Sequence, residues 1–376
     1  MVEEVVAFLR CRELAVEKPN AVFLDCTLGT AGHTLALLQA HPTCHVIALD
    51  RDADSMTFVR RRLEEAGVAQ RVTMLQGDFR HAPRLLESFF ETSEIVSELL
   101  PGGWQGIDGA LIDAGMSLYQ VTWGGRGLSF RADAPLDMRY DRTQEISAHD
   151  LINRLSEEGL ENLFFKFTDE RWARRIASFI TTHRRSKPIN TTSELSGIIT
   201  EAIPAAVRHQ TRVHPATKVF AALRIAVNDE LWALEEGAWA ISSVLNTTAR
   251  LAVLTYSSNE DRTVKITFRT LAGRPLQREN RSTGGKKTGR SALSGRRSSG
   301  HVAPSLTFPL TLPYEADGDT RHASPYAAGF ATQWQVKVVT SKPIEPTADE
   351  IAANPLARSC KLRVIEKVAM APSPRP

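Results

Sequence analysis

The stretch "DCTLGTAGHT" at residues 25–34 decides the fold, because the pattern of the chain changes abruptly there. The apolar run "AVFL" (21–24) precedes it, and "LALLQAH" (35–41) follows it. A short apolar run, a turn that contains glycine and a helical pattern are typical of a buried strand that leads into a helix. The stretch therefore predicts a β-strand, a tight turn and an α-helix in that order.

The same alternation continues to residue 113. Further apolar runs occur at "HVIALD" (45–50), "VTMLQGDF" (72–79) and "GALID" (109–113), and amphipathic segments such as "SMTFVRRRLEEA" (55–66) separate them. Strands that alternate with helices are typical of a parallel sheet with helices on both faces. We therefore expect an α/β fold with a doubly wound parallel sheet.

A helical pattern runs from about residue 147 to about residue 246, and the strand-like "ARLAVLTYS" (249–257) comes after it. We therefore predict an all-helical domain at 131–246, inserted into an α/β domain that consists of residues 1–130 and 247–376. Ser147 with Asp150, and Thr191 with Glu194, have the spacing of capping boxes, which predicts that two of these helices begin there.

Three further segments carry expectations about packing. In "TDERWARRIASFITTHRR" (168–185) an apolar stripe is interpreted as core rather than function, and it consists of Trp172, Ile176, Phe179 and Ile180. Residues 272–304 are rich in Gly, Ser and Arg, and we predict a mobile basic loop there. "WQVKVVT" (334–340) is predicted to be the last strand, followed by a polar tail with one short helix that Thr347 caps.

Composition excludes several classes of protein. The four cysteines lack C-x-x-C spacing, so we predict neither a metal site nor a disulfide framework. No apolar run reaches the roughly 18 residues that a membrane span needs, so no membrane partner is expected. The net charge is only +3, but residues 274–297 contain eight Lys or Arg and one acid. The basic character is therefore local.

The turn at residues 25–34 suits a ligand of the nucleotide type. Gly29 and Gly32 let the backbone approach a ligand, and Asp50, 21 residues after Gly29, ends the second strand where a carboxylate accepts ribose hydroxyls. NAD, FAD and S-adenosylmethionine all fit this pattern, but Asp25 would repel a pyrophosphate and favours S-adenosylmethionine. The alternative is an ordinary α/β turn in which glycine serves tight packing. Asp113 ends the fourth strand at the same edge, where it either lines the crevice or caps the next segment.

The chain resembles one family in a series of segments that occur in the same order: "DCTLGTAGH", "ALDRD", "GDF", "IDAGMSLYQ", "RGLSFRADAPLDMRYD", "DERWARRIA", "HPATKVFAALRIAVNDEL", "EDRTVK" and "NPLARSCKLR". The family is the bacterial RsmH (MraW) group and its mitochondrial relatives. The resemblance implies a Rossmann-type S-adenosylmethionine-dependent methyltransferase domain with an inserted helical domain that helps to bind RNA. It also implies methylation of N4 of a cytidine in small-subunit ribosomal RNA, near the decoding centre.

The resemblance also implies a set of site residues. The cofactor site comprises Gly29, Ala31, Gly32, His33, Asp50, Phe79, Asp113 and Gln120. Asp113 is the candidate catalytic residue, as the acceptor that holds the cytosine amine, and the backbone carbonyls of residues 113–117 are the alternative acceptor. Methylation at C5 would instead require a nucleophilic cysteine beside the base, and the turn at residues 113–120 contains none. We therefore expect N4 as the target atom.

Basic residues are expected to contact the RNA phosphates. The candidates are Arg126, Arg131, Arg139, His214, Lys218 and Arg224. The last three come from one helix start, "HPATKVFAALR" (214–224), at spacings compatible with one face. The alternative is that single arginines lie on solvated faces and that His214 only precedes the helix cap.

Several positions depart from the family pattern. "YSSNEDR" (256–262) stands where the family has "FHSLEDR", so Ser257 replaces a histidine and Asn259 a leucine. Thr30 and Ala31 are expected to crowd the cofactor turn, which is usually richer in glycine. A second hypothesis is therefore a catalytically weakened relative that binds the immature small subunit, together with assembly proteins. We expect the mitochondrial matrix as its compartment, with the bacterial cytoplasm as the alternative.

Overall fold

A central sheet of seven strands organises the computed structural model, which describes residues 1–92, 106–122, 125–208, 213–274 and 334–369. The strand order is β3-β2-β1-β4-β5-β7-β6. The strands are β1 (Val22–Asp25), β2 (His45–Asp50), β3 (Val72–Gln76), β4 (Ile107–Asp113), β5 (Leu245–Thr255), β6 (Gln335–Val338) and β7 (Lys361–Val368). β1 to β5 are parallel, and β7 runs antiparallel to β5 and β6. The predicted α/β fold of the Rossmann type is confirmed.

Helices cover both faces of this sheet. The first six are α1 (Val2–Phe8), α2 (Cys11–Glu17), α3 (Gly32–Ala40), α4 (Ala53–Glu65), α5 (Ala82–Thr92) and α6 (Leu118–Thr122). Apolar residues of α1, α3 and α4 pack on one face, and those of α5 pack on the other. Because both faces are covered, β1 is buried along its whole length, and only the last residue of β2 and of β4 is partly exposed.

The helical insertion has a core of its own, which extends from Leu128 to Val227. Its helices are α7 (Ala148–Arg154), α8 (Glu157–Thr168), α9 (Ala173–His183), α10 (Thr192–Ala202), α11 (Ala205–Arg208) and α12 (Ala216–Asn228). The capping boxes predicted at Ser147 and Thr191 are confirmed. In the α9 stripe, Ile176 and Ile180 are buried as expected.

The next helices return to the sheet. They are α13 (Glu230–Val244), α14 (Ser258–Leu271) and α15 (Ala348–Ala353). Ala233, Leu234 and Ile241 of α13 share a core with the sheet, so the last helix of the predicted insertion packs on the α/β domain. The limits 131 and 246 stay a prediction. From residue 275 onward the predicted basic loop lies outside the described residues.

The prediction that residues after 340 form a polar tail is wrong in one respect, because β7 lies between β5 and β6 inside the sheet. Charged residues hide this strand in the sequence. Arg363 and Glu366 are buried, where Arg363 donates to Asp261 at 2.7 Å and Glu366 accepts from Arg250 at 2.8 Å. The predicted cap of α15 by Thr347 is confirmed.

The described segments show no helix that is both long and apolar enough to cross a membrane.

Candidate functional site

The turn between β1 and α3 is held from inside by Asp25. Its carboxylate is fully buried and accepts hydrogen bonds from Thr34 Oγ1 at 2.7 Å and from the backbone N–H of Thr27 at 3.1 Å. Burial raises the pKa of Asp25 above its usual value, although these hydrogen bonds and the nearby His33 oppose the rise. Asp25 is therefore not at the surface of the crevice, and its charge acts from beneath the turn.

The turn leaves open space at Gly32, whereas the Cβ of Ser117 lies close to Gly29. Gly29 and Ala31 both have a left-handed backbone, with φ of 51° and 63°. The methyl group of Ala31 is fully buried in a cluster with Leu28 and Ala48, so the expectation that Ala31 crowds the ligand is wrong. A side chain at Gly32 would meet no atom within 4 Å, so the start of α3 offers open space to a ligand.

Asp50 presents its carboxylate beside this space, at the end of β2. Its Oδ2 accepts from the backbone N–H of Gly29 and its Oδ1 from that of Asp52, both at 2.9 Å. Burial raises the pKa of Asp50 to about 6, against the effect of these two bonds. Each oxygen has a second lone pair, so the carboxylate can still accept two hydroxyl donors, as a ribose diol requires. The residues present thus fit a nucleoside cofactor.

Asp113 ends β4 and joins three elements at the same edge. Its Oδ1 accepts from the Tyr256 hydroxyl at 2.8 Å, and its Oδ2 lies 3.4 Å from His33 Nε2. Its backbone N–H donates to Thr27 Oγ1 at 2.7 Å. The side chain is 28% exposed, so the carboxylate is oriented by the protein and still accessible.

The groups around Asp113 have shifted pKa values. Burial lowers the pKa of His33, but the adjacent Asp113 carboxylate outweighs burial and leaves it above the usual value. Burial and Asp113 together raise the pKa of Tyr256, so its hydroxyl stays protonated and donates. Burial raises the pKa of the nearby Cys360 thiol to about 11. His33 Nδ1 is buried and has no partner among the described residues.

Phe79 and Gln120, two of the predicted cofactor residues, are both largely buried. The Phe79 ring packs so closely on α13 that a Cβ at Gly237 would lie 2.3 Å from it. Gln120 donates to Asp52 Oδ2 at 3.0 Å and accepts from the backbone N–H of Ser117 at 3.0 Å. Gln120 is therefore linked to the loop that follows Asp50.

Two of the six candidate RNA contacts lie inside the protein. Arg126 is 2% exposed, pairs with Asp52 and donates to the carbonyl of Tyr140 at 2.9 Å. Arg224 donates to Glu230 Oε2 at 2.9 Å and lies 3.8 Å from Glu260. Burial disfavours the charge on Arg224, but the carboxylates raise its pKa above the usual value. Both arginines connect the helical insertion to the α/β domain.

The other four candidates lie nearer to the surface. Arg131, His214 and Lys218 are exposed, and Arg139 is partly buried against Asp137, to which its Nε donates at 2.6 Å. His214 stacks on Phe130 with ring centroids 4.7 Å apart. Lys218 donates to the carbonyl of Asp169 at 3.2 Å, beside the start of α9.

Tyr256 is a further site residue that the sequence pattern did not indicate. It directly follows β5, the neighbour of β4, so the rule that identified Asp113 at the carboxyl edge could also have identified Tyr256. The next residue, Ser257, caps α14 in a capping box with Glu260. Asn259 donates to the carbonyl of Phe167 in the insertion at 2.7 Å. Both departures from the family pattern therefore form structural hydrogen bonds.

A second missed group joins the turn after β3 to the junction of α12 and α13. Arg80 donates to Asp78 at 2.8 Å and to Asp229 at 2.9 Å, and Arg51 donates to the carbonyl of Asn228 at 2.9 Å. The three segments that form this group are far apart in the sequence, so no local pattern indicates that they meet. Within the described ranges, no group of three or more His, Cys, Asp or Glu side chains could hold a metal ion.

Known proteins resemble this chain over most of its length. The model of the MraW methylase family matches residues 1–285. Ribosomal RNA small subunit methyltransferase H of Finegoldia magna is 34% identical over 95% of this chain and 96% of its own length. The enzyme of the same name from Geobacter sp. strain M21 is 38% identical over 93% and 94%, respectively.

Solved structures add little to this. An rRNA methylase from Streptococcus thermophilus aligns with 96% of this chain and 95% of its own, at 9% sequence identity and a TM-score of 0.34. Such an alignment carries no argument about function. The family model and the near-complete coverage of relatives at 34% identity or more are sufficient, and the chain belongs to the MraW methylase family.

Proposed function

We propose that this protein transfers a methyl group from S-adenosylmethionine to N4 of a cytidine in small-subunit ribosomal RNA, near the decoding centre. The observation that carries the proposal is the Asp113 carboxylate, held by Tyr256 and His33 at the sheet edge that also presents Asp50. The names of the relatives support the RNA substrate.

Several residues of this chain would hold the cofactor. The open turn at Gly29 and Gly32 would take its amino-acid end, beside His33, and Asp50 would accept the ribose hydroxyls. Phe79 and Gln120 would support the adenine side of the crevice. Bound S-adenosylmethionine supplies a methyl group that its sulfonium activates.

Asp113 would orient the cytosine amine and accept the proton that the amine loses. The lone pair of this amine is delocalised into the ring, so the reaction depends on precise positioning. Tyr256 and His33 are positioning residues, because their hydrogen bonds restrict the rotation of the Asp113 carboxylate.

The protonation of the thiols near the site favours N4 rather than C5 of cytosine as the methylated atom. Burial raises the pKa of Cys26 well above its usual value and that of Cys360 to about 11. Both are therefore protonated at neutral pH, and a protonated thiol is a poor nucleophile for attack on a base.

RNA contacts are proposed for the exposed Arg131, His214 and Lys218, and for the partly buried Arg139. For the buried Arg126 and Arg224 we propose a different role, which is to hold the insertion in place against the crevice. The immature small subunit is the proposed partner, and assembly proteins are a further one. The mitochondrial matrix remains our proposed compartment, which imaging of the tagged protein in its native cell would test.

Methyl transfer to immature small subunits, with labelled S-adenosylmethionine, tests the activity. Digestion to nucleosides should give N4-methylcytidine, and the label should map to one position near the decoding centre. A label on C5 would contradict the proposed chemistry. Binding of cofactor and subunit without transfer would favour the second hypothesis, a catalytically weakened assembly factor, for which the replacement of the family histidine by Ser257 is the supporting observation.

A further inference from the structure

A groove of about 590 Å³ runs along the start of α9, on the helical insertion. It is lined by Glu157, Arg171, Trp172, Arg174, Arg175 and Phe179. None of these residues is one of the proposed RNA contacts. The sequence pattern assigned the two aromatic residues, Trp172 and Phe179, to the core. In the structure, Trp172 and Phe179 are only partly buried, so each ring contributes surface to the groove.

The three arginines of the groove have no carboxylate partner among the described residues. Arg171, Arg174 and Arg175 are exposed, and none forms an ion pair with a described residue. The nearby acids are engaged elsewhere, because Glu170 accepts from the backbone N–H of Trp172 and Glu157 accepts from Thr181.

The position of these arginines on the helix makes their positive charges unfavourable in the protein without a bound partner. All three lie at the N-terminal end of α9, where the helix dipole disfavours positive charge. An anionic partner would relieve both the mutual repulsion and the conflict with the dipole. The groove is therefore electrostatically complementary to a polyanion.

The aromatic rings add a second feature. The Arg171 guanidinium lies 5.2 Å from the centroid of the Trp172 ring, and that of Arg175 lies 5.3 Å from the centroid of Phe179. Guanidinium groups and rings offer flat surfaces on which bases stack. Bases in a duplex are already stacked on each other, so these surfaces suit a single strand.

The segment that precedes the groove contacts the helix that begins next to Tyr256, at the carboxyl edge of the sheet. Phe167, four residues before Arg171, accepts the hydrogen bond from Asn259 near the start of α14, and Tyr256 directly precedes the cap of that helix. Lys218, a proposed RNA contact, donates to the carbonyl of Asp169 in the same turn.

We propose that the α9 groove binds a single-stranded segment of RNA that flanks the target cytidine. The arginines hold its phosphates, and its bases stack on the Arg171–Trp172 and Arg175–Phe179 pairs. The inference rests on the proposed function, since it takes the substrate to be RNA.

The test compares two variants of the full chain that remove equal charge. One carries Arg171→Gln, Arg174→Gln and Arg175→Gln. The control carries Arg60→Gln, Arg61→Gln and Arg84→Gln, three exposed arginines of α4 and α5. The probe is a fluorescent single-stranded RNA of mixed sequence, measured by anisotropy over a series of salt concentrations, next to the same RNA annealed to its complement.

The groove variant should bind the single strand at least about tenfold more weakly than the wild type, with a salt dependence reduced by about two counterions. Its melting temperature should fall by no more than a few degrees, because the substituted side chains form no ion pair with described residues and only the exposed cation–π contacts of Arg171 and Arg175 are lost. The control should bind like the wild type. Phe179→Leu should weaken single-strand binding by about fivefold or more and leave duplex binding unchanged.

Other outcomes would overturn the inference. Equal affinities for the groove variant and its control, while the wild type methylates small-subunit RNA, would refute the groove and leave the proposed function standing. A wild type that neither binds nor methylates RNA would refute both. If the groove variant kept RNA affinity but lost binding to immature subunits, the groove would be a protein-docking surface and the inference would fail.

Discussion

The carboxyl edge of the sheet carries negative side chains and the α9 groove carries positive ones, and the protein holds the two sets differently. At the edge, Asp50 and Asp113 are partly buried, and hydrogen bonds from the protein orient both carboxylates. In the groove, three arginines are exposed and lack ion pairs with described residues. Prearranged groups favour chemistry on a small target, whereas unpaired surface charge favours the binding of a long anion.

The arginines show the same difference within one residue type. Arg126 is buried and Arg224 is largely buried, and both have carboxylate partners and connect the two parts of the protein. Arg171, Arg174 and Arg175 form no such network with the part of the chain that the structure describes. Their environment, rather than their charge, therefore separates a structural role from a role in binding.

The largest effect is expected at the sheet edge from Asp113→Asn. The amide keeps the size of the side chain but cannot accept the amine proton, so kcat should fall by about a hundredfold or more. Initial rates with labelled S-adenosylmethionine measure the loss, with Asp54→Asn at an exposed acid as control. Activity of Asp113→Asn close to wild type would exclude the catalytic role.

The next largest effect is a difference in stability between the substitution of a buried arginine and that of a surface arginine. Arg126→Gln leaves the buried Asp52 without its cationic partner, and the free energy of unfolding should fall by about 3–5 kcal/mol. Arg174→Gln should change it by no more than about 0.5 kcal/mol. Urea unfolding followed by circular dichroism measures both. Similar losses in the two variants would contradict the division between buried and surface arginines.

A smaller effect is expected from Tyr256→Phe, which removes the hydroxyl that holds Asp113. We predict a decrease in kcat of about tenfold, with KM for the cofactor unchanged, because the carboxylate stays but rotates more freely. Tyr140→Phe is the matched control, since it removes a bond of the same length, 2.8 Å, to Glu230. The control should lower stability and not kcat. The reverse result would remove Tyr256 from the site.

The smallest effect concerns pH. Burial raises the pKa of Asp50 from 3.8 to about 6, so the native carboxyl keeps its proton where the unfolded one has lost it. Its contribution to stability is full below about pH 4 and is lost as the pH rises through about 6.

Ligand hydroxyls donate better to the ionised form of Asp50, so cofactor affinity should rise several-fold between about pH 5 and 7. Calorimetry at several pH values measures this change, and Asp50→Asn should bind weakly with little dependence on pH. A wild-type affinity that is flat across the range would count against Asp50 as the ribose ligand.

Local patterns were sufficient to predict β1 to β5, the capping boxes and the acids at the carboxyl edge. Each depends on neighbours in the sequence, such as the glycine turn after β1 or an acid that ends a strand. β7 escaped prediction because its charged residues, Arg363 and Glu366, pair with partners about a hundred residues away. Such pairing satisfies charges inside a sheet and hides the alternation that marks a strand.

The same limit applies to the site. Nothing near Arg126 in the sequence indicates that Asp52, 74 residues away, accepts its hydrogen bond. The stripe on α9 correctly indicated that one face is buried, but Trp172 and Phe179 lie at its margin. Hydrophobic periodicity shows which side of a helix packs against the protein. It does not show how much of that side the neighbouring elements cover.

Calorimetry with S-adenosylmethionine, for the wild type and for Asp50→Ala, tests the central claim most directly. The wild type should bind the cofactor, and Asp50→Ala should bind at least about tenfold more weakly, because charge-assisted hydrogen bonds to the ribose are lost. Glu64→Ala, at an exposed acid of α4, should bind like the wild type. Failure of the wild type to bind, or equal affinities for the wild type and Asp50→Ala, would contradict the assignment of this sheet edge as the cofactor site.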